Sequence, residues 1–161
     1  MKMGMHVKAD KSMHERHYVK LALMTVLMFI VMYALMYAMV DRFANVYSNL
    51  NQVYMAGLMT APMVLIEMAL MRAMYAHRRL NTFIIASSVV LGIACWLGIR
   101  EQAGIGNEQF LRSMIPHHAG AILMCNEASA NNAEIRQLCV NIVAGQQREI
   151  AEMKALLNRE R

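Results

Sequence analysis

Apolar residues in this chain gather into three long runs and then scatter at helical spacing through a more polar tail. The first run, Leu21 to Val40, holds twenty residues without a charge, about 30 Å of α-helix. The second extends from Val53 to about Met71 and contains Pro62 and Glu67. The third, Thr82 to Ile99, is charge-free and carries Trp96 near its end, where an interfacial anchor belongs. Each run predicts a transmembrane helix. The first is too long for the core of a signal peptide, and no A-x-A cleavage pattern follows it. In the tail the spacing predicts one helix capped by Asn107 and running to about Ala128, a turn over Ser129 to Asn132, and a second helix from Ala133 to about Asn158. On that second helix Ile135, Cys139, Ile142, Gln146, Ile150, Met153 and Leu157 form a stripe. Pro116 deprives the Arg112 carbonyl of its usual donor and predicts a kink in the first tail helix.

The reading is therefore all-α: three transmembrane helices followed by an exported helical hairpin. Two amphipathic helices cannot bury both of their stripes alone. The hairpin is expected to form half of a four-helix bundle, completed by another copy, in a dimer or higher homo-oligomer, or by a second protein.

Charge fixes the expected orientation. Residues 1–20 carry a net +3, the 72–80 loop adds another +3, and the tail from Arg100 has seven basic and seven acidic residues. The formal net charge of +5 thus sits at two membrane flanks, where the positive-inside rule wants it. Nucleic-acid binding is a poor use of that pattern. The chain divides into a basic cytoplasmic leader (1–20), a transmembrane region (21–99) and a hairpin domain (100–161). In a bacterium the anchor lies in the inner membrane, with the amino terminus cytoplasmic and the tail periplasmic.

The stretch that carries chemistry is FLRSMIPHHAGAILM, residues 110–124. On a helix Met114, His117, Ala121 and Met124 share one face, and His118 is four residues from Met114. Thioether and imidazole are soft-to-borderline donors that suit copper, above all Cu(I). The competing reading is a half-buried helix with surface histidines and methionines that fill a core.

The run F-L-x-x-M-I-P-H-H-x-x-A-I-x-M, followed by Q-Q-x-E-I-x-x-M at 146–153, resembles the domain of unknown function 305 family. The resemblance covers roughly Asn107 to Leu157 and implies a ferritin-like helical protein associated with copper binding and with copper or silver resistance. Carried onto this chain, the implied metal ligands are Met114, His117, His118, Met124 and Met153, with Cys125 standing where the family commonly has alanine. The three-helix anchor lies outside the resemblance. With the turn centred near residue 130, Met153 is expected roughly 9 Å out of level with Met114. Enzyme readings fail: no Glu has a His three residues later, H-E-x-x-H is absent, and the tail has no aspartate for a Ser-His-Asp arrangement. No catalytic residues are assigned.

Cys95 reads as a filler of the third membrane helix. Cys125 and Cys139 lie on opposite arms of the hairpin, and disulfide, metal ligand and inert filler stay open for them. Fifteen of the eighteen methionines precede residue 76. Met24, Met28, Met32 and Met36 recur every four residues, with Met39 next on that side, and Met55, Met59, Met63, Met68 and Met71 follow in the second run. They read either as packing and lipid-facing residues or as a thioether ladder for Cu(I) or Ag(I). Glu67 is costly inside a bilayer, or it reaches the interface near Arg72 or Arg78. The leader adds Met3, Met5, His6, Met13, His14 and His17, a pattern more usual in a solvated tail.

The expected function is a membrane-anchored copper or silver binding protein that sequesters or hands over the metal. Two alternatives remain. One is a component of a copper transport pathway using the Met-rich helices, and the other is a non-metal oligomeric membrane structural protein.

Overall fold

In the computed structural model the chain is helical from residue 3 to residue 159, interrupted by short connections, and it contains no strand among the described residues. The structure describes residues 3–160, with side chains from Arg16 onward. Met3, Met5, His6, Met13 and His14 of the leader lie outside the described side chains. Five α-helices follow one another: α1 (Met3–Leu35), α2 (Leu50–Leu70), α3 (Arg78–Arg100), α4 (Asn107–Glu127) and α5 (Ala133–Arg159). Three segments are long and apolar enough to cross a membrane: Arg16–Met39, Leu50–Leu70 and Arg78–Arg100. Their length and composition are consistent with membrane association.

The chain forms two compact units. One comprises residues 1–33 and 54–101, the other residues 34–53 and 102–161.

In the first unit α2 and α3 approach closely through small residues. A Cβ on Gly57 would stand 2.7 Å from Cys95 Sγ, one on Gly92 would stand 3.3 Å from Ala61 Cβ, and one on Gly98 would meet the Tyr54 ring at 3.0 Å. Membrane helices associate by such close contact because lipid offers apolar side chains no reason to leave it. Leu21, Val64, Met68 and Tyr75 form a buried cluster against which Tyr18, Met24 and Ile84 pack. Beside it a polar knot ties the α2–α3 connection to α1 and α3. The Tyr18 hydroxyl donates to Asn81 Oδ1 at 2.7 Å and accepts from the His77 amide at 3.1 Å. Asn81 Nδ2 donates to the Tyr75 carbonyl at 2.8 Å. Burial, then the neighbouring Glu67 carboxylate, pushes the Tyr75 phenol above its ordinary pKa. Glu67 accepts that hydroxyl at 3.3 Å, so its described partner is a tyrosine rather than the expected arginines.

The methionines separate by helix. Met24, Met28 and Met32 are half-buried along α1, whereas Met55, Met59 and Met63 are exposed on α2. The packed face of α2 belongs to Ala56, Gly57, Thr60, Ala61, Val64 and Met68.

In the second unit α4 and α5 pair as a hairpin around Leu111, Ile115, Ala119, Ile122, Ile150, Met153 and Leu157. Ile115, Ile122 and Leu157 are fully buried, each worth about 1.5–3 kcal/mol. Steps of three, four and seven put these residues on the facing stripes; Ile150, Met153 and Leu157 belong to the stripe the periodicity predicts on α5, whereas Ile135 of that stripe is exposed. Pro116 is buried within a helix that is continuous from Asn107 to Glu127. The cap at that helix start is Gly106 rather than Asn107. At α5 the Asn132 side chain accepts from the Glu134 and Ile135 amides, a capping arrangement that satisfies two of the orphan donors.

The hairpin does not stand alone. Residues 34–53, expected only as a connection between membrane helices, lie against it. Val40 and Tyr47 pack on its core, and the Met39 carbonyl passes 3.5 Å from where a Cβ on Gly120 would stand. Lys154 Nζ donates to the Ala44 carbonyl at 2.9 Å and to Asn45 Oδ1 at 2.6 Å. Asn49 caps α2 by accepting from the Gln52 amide, while the Leu50 amide donates to Gln109 Oε1 of α4 at 3.0 Å. Part of the cover that the apolar stripes require thus comes from the chain's own preceding segment.

Candidate metal centre

The register of the hairpin decides which donors can meet. His118 Nε2 and Glu149 Oε2 face each other at 2.8 Å across α4 and α5. His118 lies nine residues before the end of α4, and Glu149 sixteen residues after the start of α5. At 1.5 Å per residue α5 therefore begins about 10 Å beyond the end of α4. The cause is the connection: Ala128 and Asn132 are extended, so the chain runs onward before it turns back. Met153 consequently comes level with Met114, and the expected 9 Å offset disappears. Both contribute to one apolar cluster, Met153 buried within it and Met114 half-buried against it.

Met114, His117 and His118 occupy a little over one turn of α4. The two imidazole rings stand 6.1 Å apart between centroids and nearly edge-on, with His117 exposed and His118 largely buried. His118 Nδ1 is 2.9 Å from the Met114 carbonyl. With Nε2 on Glu149, both of its nitrogens are engaged, and ligation through Nε2 requires Glu149 to let go. Glu149 lies in the Q-Q-x-E-I-x-x-M segment yet receives no role from sequence reasoning. Its spacing of four before Met153 puts it on the same face, the one signal that marks it out.

Met124 is separated from this group. Because α4 is continuous, Met124 lies about 15 Å along the axis from Met114. Two thioethers on one ion must sit within a few ångströms of each other, so within one chain Met114 and Met124 are not placed to share an ion. Met124 is 55% exposed, one residue from Cys125. Cys125 and Cys139 line one cavity across the hairpin near the turn and are free rather than bridged. Hydrogen bonding to Cys139 is the main cause that raises the Cys125 thiol above its ordinary pKa.

The soft donors thus form two groups. Met114, His117, His118 and Met153 lie at one level of the hairpin, and Met124, Cys125 and Cys139 lie nearer the turn. Among the described residues no group of three or more His, Cys, Asp or Glu is placed to hold a metal.

Fold and composition define the class: an all-helical protein with three potential membrane spans and a compact carboxy-terminal hairpin. Residues 101–159 match the domain of unknown function (DUF305) family. Over 112 residues the chain is 33% identical to an uncharacterized protein of Acanthamoeba polyphaga mimivirus, covering 68% of this chain and 72% of the viral one. The chain belongs to the same family as that viral protein. No solved structure matches it.

Proposed function

We propose that the protein is a membrane-anchored binding protein for Cu(I), or for Ag(I), that sequesters or hands over the ion in the compartment facing its tail. The observation that carries this reading is the shared level of Met114, His117, His118 and Met153 on the paired helices α4 and α5. Thioethers and neutral imidazoles suit a soft monovalent ion, and neither must give up a proton at neutral pH. His117, exposed at the rim, is placed to meet the incoming ion. His118 joins after leaving Glu149, and the half-buried Met114 supplies a thioether beside them. Met153 backs the site from the facing helix. Met124 belongs to the second donor group and is assigned to capture or transfer.

In this reading the anchor sits in a bacterial inner membrane with the leader cytoplasmic and the tail periplasmic, as the basic flanks favour. The hairpin is ferritin-like in its helix pairing and completes a four-helix bundle with a second copy. No catalytic role is assigned. The transport alternative is less favoured, because Met55, Met59 and Met63 lie exposed on α2, away from its packed face.

The test is anaerobic Cu(I) titration of the full chain in detergent, with a calibrated chelator as competitor. Replacing His117 and His118 with alanine should weaken binding by orders of magnitude while helix content by circular dichroism stays the same. Equal affinity in the double variant would make the histidine pair a packing motif and end this reading.

A further inference from the structure

We infer that Cys125 and Cys139 form a second, separate site: a paired thiolate that binds a soft monovalent cation such as Cu(I) or Ag(I) in two-coordinate fashion. The two cysteines come from facing helices and line one cavity, so both sulfurs are within reach of a single ion. Both are half-buried and unbridged, and both line an open cavity of about 420 Å³ at the turn end of the hairpin. An ion from solvent therefore has a path to them.

The composition of that cavity narrows the ion. Its other polar lining includes Asn126, Arg136 and Gln147, with no imidazole or carboxylate. Zinc asks for four donors in a tetrahedron and finds two here. Copper(I) and silver(I) have filled d shells and accept two thiolates in a line, and thiolate is the softest donor a protein offers. On binding, each thiol releases a proton to solvent, so a +1 ion held by two thiolates leaves a complex of net −1. Arg136 brings a compensating positive charge into the same cavity. Its guanidinium is held nearby by the Ala130 and Asn131 carbonyls at 3.4 and 3.3 Å.

This site does not depend on Met114, His117 or His118, and its failure is separable from theirs. The experiment uses the full chain in detergent, reduced and anaerobic, labelled with a maleimide before and after Cu(I) is added, with labelled cysteines located by mass spectrometry. Cu(I) should abolish labelling of both Cys125 and Cys139 in the parent chain and equally in the H117A/H118A double variant. Substituting Cys125→Ser should restore labelling of Cys139 in the presence of Cu(I). Labelling that persists at both thiols with Cu(I) present would overturn the proposal. So would protection of Cys139 that survives in the Cys125→Ser variant, or a Cys125–Cys139 disulfide in the purified chain that resists mild thiol reductants.

Discussion

His118 on α4 and Glu149 on α5 meet at 2.8 Å, a contact that marks the register of the hairpin and occupies a candidate ligand. The Glu149 side chain is just over half exposed, so the pair is worth at most about 1 kcal/mol. Glu149→Ala should therefore raise Cu(I) affinity by up to about fivefold, since His118 Nε2 is no longer engaged. Chelator competition on the parent and variant measures it. A large loss of affinity would mean instead that Glu149 positions His118 for the ion.

Lys154 joins α5 to residues 44 and 45 through two charge-assisted hydrogen bonds, and Asn45 is buried. Lys154→Met keeps the aliphatic stem but leaves an acceptor in the Asn45 amide with less satisfaction. The expected cost is about 1–3 kcal/mol, read as a lower midpoint in thermal unfolding followed by circular dichroism. An unchanged midpoint would show that the 34–53 segment adds nothing to the tail's stability.

Gly57→Leu should separate α2 from α3, because even a Cβ there would stand 2.7 Å from Cys95 Sγ. Overpacking of this kind costs about 1–3 kcal/mol or more. The double variant Gly57→Leu with Cys95→Gly should recover much of the lost resistance to detergent-induced unfolding. Failure of that rescue would place the damage elsewhere.

The start of α5 overhangs the end of α4, and Ile135, Leu138 and Val140 on the overhang are 50%, 56% and 61% exposed. Apolar surface left unpaired in this way favours association with a second copy. The full chain should be oligomeric in light scattering with detergent subtracted, and Leu138→Glu should shift it toward monomer without loss of helix content. A parent chain that is monomeric and protease-resistant would refute the assembly.

Topology is tested by fusions. Alkaline phosphatase joined after Arg161 should be active, and joined after Arg79 inactive, because the basic residues flank the side of the leader and the 72–80 loop. The reverse pattern would overturn both the orientation and the compartment assigned to the tail.

Much of this protein is legible in its sequence for a local reason. Runs such as Leu21 to Val40 dictate helices because the bilayer and the 3.6-residue period act on neighbouring residues. The tail stripes through Ile115 and Ile122 and through Ile150 and Leu157 follow from the same period. The core residues Ile150, Met153 and Leu157 of α5 could therefore be named before their contacts were known, and so could the turn between the helices.

Register was not legible. A turn centred near residue 130 sets Met153 against residue 108, yet the extended connection carries α5 about 10 Å past the end of α4 and sets it against Met114. Backbone angles at a few linker residues made that difference, and composition does not encode them strongly. Helical periodicity also groups Met114 with Met124, because it reports direction around the axis and is silent about the distance along it. Only the tertiary structure decided that residues 34–53 cover part of the tail, that Glu149 occupies His118, and that Cys125 and Cys139 line one cavity. Each is a contact between segments far apart in sequence, where geometry is set by packing rather than by neighbouring residues.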